Sequence, residues 1–273
     1  EIKECDWSSD VCSSDLLGVL SLLPLIAWQA RRGPASGPAG RNRRTALWGA
    51  LAAGLVMFGG VSLQQVGLLY TTAGKAGFIT GLYVVFVPLL GLFWRQRPGT
   101  GGWLGALAAA AGLYLLSVTD RLDLAPGDGL VLLGAVFWAG HVLLLGYLSP
   151  RADPVRLAAG QFAVCAAASL VVALAAEEIT WAGLVAGAWP IAYGGCMSVG
   201  VAYTLQVVAQ KDASPTPAAI ILSLESAFAA LAGYLLLGEV LGLRGMAGCA
   251  LMLAGMLAAQ VWPGRRSGPP SAT

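Results

Sequence analysis

Charge is what this sequence has least of. Asp, Glu, Lys and Arg make up 11% of its 273 residues, against about 25% in an ordinary soluble domain, and that excludes a water-soluble globule. Histidine occurs once, and the five cysteines form no CxxC or Cys/His spacing, so neither a metal site nor a redox pair is expected. There is no GxxxxGKS/T loop, so ATP-driven work would need a separate subunit. One His, one mid-span Glu and no mid-span Asp pair supply neither a Ser/His dyad nor an aspartyl pair. The chain is therefore not expected to be an enzyme, and no cofactor is expected.

What is abundant is apolar sequence: 57% of residues are hydrophobic and the mean hydropathy is +0.74. These residues come in windows of about 20, the length that crosses a hydrocarbon layer about 30 Å thick at about 1.5 Å per residue. Hydropathy places spans at 17–30, 46–70, 74–94, 102–118, 128–149, 155–176, 184–209, 216–238 and 241–261. The expected fold class is all-α, a polytopic membrane helical bundle. Cys165, Cys196 and Cys249 each fall in a different window and read as small, inert, buried packing.

Residues 1–16, EIKECDWSSDVCSSDL, stand apart. They hold five of the 14 acidic residues and one base, and give way abruptly to an apolar run. They lack the basic start and apolar middle of a signal peptide. Asp6 to Leu16, DWSSDVCSSDL, closely resembles the conceptual translation of a sequencing adapter, so 1–16 reads as an artefact; a short acidic exported tail is the alternative. Without it, 15 basic residues face 9 acidic ones, a net charge of +6 in place of +2. The first span, 17–30, is then short, and the native protein is expected to begin further upstream.

Loop charge sets an expected orientation. The 31–45 loop, RRGPASGPAGRNRRT, carries five arginines; with alternate loops assigned to its side, twelve basic residues lie inside, against Lys75, Arg121 and Arg244 outside. The positive-inside rule then puts the C-terminus, including a 264–273 tail, in the cytoplasm of a bacterial-type inner membrane. A first span running inward implies one more before it, so ten in all. The arginine loop has Gly, Pro and Ser but no aromatic residue for base stacking, so no nucleic acid is expected.

The chain also repeats itself at a shift of 141 to 143 residues. Gln65 falls on Gln206 and Ile79 on Ile220; after one residue of slip Gly81–Phe86 falls on Ser223–Phe228. After another slip Gly105 and Gly112 fall on Gly248 and Gly255. Equivalent spans sit five apart, an odd number, so the copies enter the membrane from opposite sides. Such inverted repeats mark secondary transporters, and two five-helix repeats again imply ten helices, about nine of them visible, in a first repeat at 17–118 and a second at 128–263.

Polar groups inside hydrocarbon are few and functional. Glu225 is the one acidic residue well inside a span; it reads either as a proton carrier or as a protonated carboxyl bonded across a helix interface beside small residues. His141 and Trp138, three apart on one helical face, could line a substrate cavity; a His satisfied by a neighbouring carbonyl is the competing reading. Gln65, Tyr83, Gln161 and Gln206 complete the expected substrate-binding set with Trp138 and His141. Amides with no mid-span base favour neutral or zwitterionic solutes over phosphorylated ones. Gly77 with Gly81, and Gly101 with Gly105, read as helix-packing pairs, and Pro88 as a site for a kink.

LYTTAGKAGFITGLYVVFVPLLG, AAIILSLESAFAALAGYLLLGE and GDGLVLLGAVFWAGHVLLLGYL resemble EamA-type members of the drug/metabolite transporter superfamily. The resemblance covers nearly all of 17–263 and is most specific in 205–240. It implies ten helices in two inverted five-helix repeats, a central cavity and export of small metabolites such as amino acids, with proton exchange as a means of coupling. A nucleotide-sugar or sugar-phosphate exchanger of the same superfamily is the runner-up. The family often has proline after the ninth-helix glutamate; Ser226 stands there, which puts the local helix break in question. The expected partners are a small-molecule substrate, the lipid bilayer and a second copy of the chain.

Overall fold

Long apolar runs in hydrocarbon have one local solution, because every backbone N–H and C=O must be satisfied within the segment. A computed structural model describes residues 7–31, 43–94, 96, 98–118, 125–177, 180–237 and 242–261, and its ordered elements are helices. These are α1 (Trp7–Arg31), α2 (Arg43–Leu68), α3 (Ala73–Gly81), α4 (Tyr83–Phe93), α5 (Thr100–Ser117), α6 (Asp128–Leu148) and α7 (Pro154–Ala176). The series continues with α8 (Trp181–Ala186), α9 (Ala188–Tyr193), a π-helical stretch Gly194–Tyr203, α10 (Thr204–Ala209), α11 (Pro215–Ser223), α12 (Glu225–Leu237) and α13 (Leu243–Val261). Helix starts follow local chemistry. Pro154 and Pro215 open α7 and α11, where a missing N–H costs nothing. Asp153 accepts the Arg156 N–H at 2.9 Å and Thr180 the Gly183 N–H at 3.1 Å, each relieving an orphan donor of a first turn.

Among the described residues nine helical runs are long and apolar enough to cross a membrane. Eight agree with the hydropathy windows to within four residues. The first differs: α1 begins at Trp7, so residues 7–16 are helical and continuous with 17–31. Its serines bond back into the helix, Ser14 Oγ donating to the Val11 carbonyl at 3.1 Å and Ser21 Oγ to that of Gly18 at 2.7 Å, which lets hydroxyls ride in a helix. The spans expose large apolar side chains, Phe93 and Leu243 by 84% and 85%, an arrangement stable against lipid and not against water.

The described chain forms two units. One combines residues 1–62 with 144–212, the other 63–143 with 213–273, so the boundary passes through α2 and α6. In the second unit α5 packs along α13. A Cβ placed on Gly105 would lie 2.6 Å from the Gly255 carbonyl oxygen, and one on Gly255 would lie 2.7 Å from that of Gly105. Gly112 and Gly248 repeat the exchange at 2.6 and 2.7 Å. Low-numbered glycines of α5 meet high-numbered ones of α13, so the helices are antiparallel, and the repeat mates Gly105 and Gly248, like Gly112 and Gly255, fall in opposite contacts. Backbones approach this closely only where side chains are absent. Around them lie Val84, Leu113, Ile220, Leu224 and Met252, all buried.

In the first unit α1 packs along α7. A Cβ placed on Gly54 of α2 would lie 2.6 Å from the Gln161 carbonyl oxygen on α7, and one on Gly195 would lie 2.8 Å from that of Ser14 on α1. The Ser9 N–H at the start of α1 donates to Glu177 beyond the end of α7 at 3.0 Å, as two antiparallel helices require.

The helix breaks refine the repeat and correct three expectations. The third and eighth spans are interrupted at Leu82 (φ −61°, ψ −11°) and Leu224 (φ −64°, ψ −13°). Leu82 N–H donates to the Ile79 carbonyl at 3.2 Å and Leu224 N–H to that of Ile221 at 3.1 Å, a single tight turn of the 3₁₀ kind. Ile79 therefore pairs with Ile221, at a shift of 142, and not with Ile220. The break in the second copy forms without a proline after Glu225. In the first copy it falls at Leu82 while α4 runs on through Pro88, so proline causes neither. Two packing expectations also change. Gly77 faces open space, whereas Gly81 and Gly105 pack against Leu113 and Gly255. Cys165 is buried, Cys249 half-buried and Cys196 exposed, since a thiol sits as comfortably against lipid as in a core.

Candidate functional site

In the second unit three spans of 21 residues carry a polar or amphipathic side chain at their eleventh position: Tyr83 in Ala73–Phe93, Trp138 in Asp128–Leu148 and Glu225 in Pro215–Leu235. Each lies about 15 Å from either end of its span, at the middle of a hydrocarbon layer about 30 Å thick. The helix breaks explain two of the three. Tyr83 is the first residue of α4 and Glu225 the first of α12, so the repeat places a phenol and a carboxylate at equivalent points, just after the same tight turn.

Trp138 is held by a residue the sequence reading left out of the site. Its indole Nε1–H donates to Gln64 Oε1 at 2.9 Å, linking α6 to the last turns of α2. The His141 ring stands edge-on to Trp138, with centroids 5.9 Å apart and planes at 87°. His141 itself is fully buried, so in this conformation its ring is packed among protein groups. Tyr83 is half-buried against the cluster of Val87, Ala139, Val142, Leu143 and Ala219, which brings α4, α6 and α11 together beside Trp138. Glu225 is exposed.

The remaining expected residues divide between the units. Gln65 is half-buried in the second, next to Gln64. Gln161 and Gln206 belong to the first: Gln161 is fully buried on α7, and Gln206 half-buried on α10. Gln65 and Gln206 hold equivalent places, each three residues before its helix ends. The signal for Gln64 was present as the tandem Gln64–Gln65, but adjacent residues of a helix point about 100° apart, and only the partner on α6 decides which amide is used. One further tie was not expected: Thr71 Oγ1 donates to Asp128 Oδ1, while Asp128 Oδ2 accepts the Ala125 N–H at 2.8 Å. It fastens the α2–α3 turn to the start of α6, which carries Trp138.

The arrangement offers a carboxylate, a phenol and an indole at mid-span depth, with amides nearby. Comparison with known proteins gives this chemistry its setting. The model of the EamA-like transporter family matches residues 14–118 and again 125–259. The chain is 33% identical over 192 residues to an uncharacterized transporter of Archaeoglobus fulgidus, covering 69% of this chain but 60% of that relative. It is 28% identical over 208 residues to the uncharacterized transporter YwfM of Bacillus subtilis, covering 72% and 69%. A protein of known crystal structure shares the fold at a TM-score of 0.78 and 18% identity, over 94% of this chain and 88% of that one. The chain belongs to the EamA-like transporter family of the drug/metabolite transporter superfamily and is a multi-pass membrane protein.

Proposed function

We propose that this transporter exports small neutral or zwitterionic organic solutes, such as amino acids, from the cytoplasm across a bacterial-type inner membrane in exchange for protons, with Glu225 carrying the proton. The observation that carries the reading is the position of Glu225: an exposed carboxylate at the midpoint of its span, at a helix break that recurs in the other repeat. An acidic side chain at that depth costs on the order of 3 kcal/mol on insertion scales and is kept where it serves a path. Tyr83 at the equivalent point and Trp138 at the same depth offer a hydroxyl and a π face to the solute's polar and cationic groups. Lys75, the base nearest this set in sequence, sits in the first turn of α3 near a span end, where such a chain snorkels to the interface, and phosphorylated substrates lack a counter-charge at mid-span.

The test is transport by the purified protein in proteoliposomes loaded with a labelled amino-acid mixture, with and without an imposed pH gradient. A gradient that drives efflux in the wild type should drive none in Glu225→Gln, while gradient-independent counterflow persists. Equal proton-driven efflux in both would remove Glu225 from the coupling role.

A further inference from the structure

A groove of about 400 Å³ opens in the first unit between the start of α2 and the end of α6, lined by Arg44, Trp48, Gly49, Ala52, Tyr147 and Leu148. Its position follows from the spans: Ala46–Leu68 begins and Asp128–Leu148 ends beside it. From Arg44 to Ala52 it runs about 12 Å along α2, from headgroup level into the acyl layer. Gly49 lies against Leu148, whose Cδ2 would be 2.9 Å from a Cβ, so missing side-chain bulk forms the floor. Trp48 and Tyr147 stand exposed on either side, as aromatic residues do at the boundary of a bilayer.

The mouth is cationic. Arg44 lies in the first turn of α2, which contains no acidic residue and where the helix dipole already favours an anion. The Arg151 guanidinium lies over the ring of the lining residue Tyr147, 3.9 Å from its centroid, and donates to the Tyr147 carbonyl at 2.6 Å. Stacking and that hydrogen bond keep its charge beside Tyr147. Among the described residues neither arginine has a carboxylate partner. Two arginines over an apolar slot at the membrane boundary match one kind of molecule, since arginine forks suit phosphate oxygens and basic pockets between helices take acidic lipid headgroups.

We propose that this groove is a binding site for an anionic phospholipid, with its phosphate between Arg44 and Arg151 and an acyl chain along Trp48, Ala52 and Leu148. The site is separate from the mid-span residues and does not rest on the transport reading.

The experiment is lipid titration of the full chain in detergent, followed by native mass spectrometry, with phosphatidylglycerol and phosphatidylcholine of identical acyl chains. The wild type should retain one phosphatidylglycerol in preference to phosphatidylcholine. Arg44→Gln with Arg151→Gln should lower that preference by roughly 20-fold, whereas Arg156→Gln, in the first turn of α7, should leave it unchanged. Ala52→Trp, which fills the groove and keeps both charges, should also abolish retention. Inorganic phosphate at millimolar concentration should not displace the lipid. Equal retention of the two lipids by the wild type, unchanged preference in the double variant, full retention by Ala52→Trp, or displacement by phosphate would each overturn the proposal.

Discussion

The bond from Trp138 to Gln64 shows how much a single amide decides at mid-span depth. A half-buried indole N–H at mid-span depth has little water to turn to, and Gln64→Leu takes away the amide that accepts from it. Interhelical hydrogen bonds in membranes are worth about 0.6 kcal/mol on average and reach about 1.7 kcal/mol. Gln64→Leu is expected to destabilise the protein in detergent by about 1 kcal/mol, and Gln65→Leu by less. The double variant Gln64→Leu with Trp138→Phe should cost less than the sum of the singles. Thermal unfolding of the four proteins checks this, and strict additivity would show that the bond contributes nothing. The sequence offered both glutamines, Trp138 and His141 as polar residues in apolar spans, and that much was legible because polarity against hydropathy is a local property. Which glutamine meets the indole is a contact between residues 74 apart, and local pattern is silent on it. The same holds for His141, whose complete burial depends on neighbours from other helices.

At the scale of the helix, the glycine exchange between α5 and α13 separates two kinds of glycine that spacing alone treats alike. Gly112→Ala and Gly248→Ala push a methyl to 2.6 and 2.7 Å from a facing backbone oxygen, and backbone cannot rotate away. Overpacking of this kind costs typically about 1–3 kcal/mol, and because the two glycines face each other across one contact the two losses should be similar. Gly77→Ala meets open space and should be neutral or mildly stabilising, since alanine is the better helix former by up to about 1 kcal/mol. Unfolding midpoints of the three variants test the assignment; a harmless Gly112→Ala would mean the helices do not approach so closely. The spans themselves were legible because twenty apolar residues in a row admit little but a membrane helix. The breaks at Leu82 and Leu224 were not, because the usual marker, proline, lies six residues beyond the first and is absent from the second.

For the whole molecule, the sequence separates two inverted repeats, and the structure sorts their helices differently: α3 to α5 of the first copy share a unit with α11 to α13 of the second. Hydropathy reads order along the chain, while grouping in space depends on packing between distant spans. Loop charge makes a claim at this scale too. With twelve bases on one side against three on the other, a reporter fused after Thr273 should be active only in the cytoplasm. A phosphatase fusion active outside the membrane would reverse the assigned orientation, and with it the direction named for transport.

The paired helix breaks bear on energetics. On the proposed exchange cycle, the inward-facing and outward-facing arrangements swap the roles of the two copies, so a perfectly repeated sequence would make them equal in free energy. Whatever bias exists must come from positions where the copies differ. At mid-span one such difference is Tyr83 against Glu225, a phenol in one copy where the other has the carboxyl proposed to carry the proton. Protonation of a single side chain would then act as a weight on an otherwise level balance.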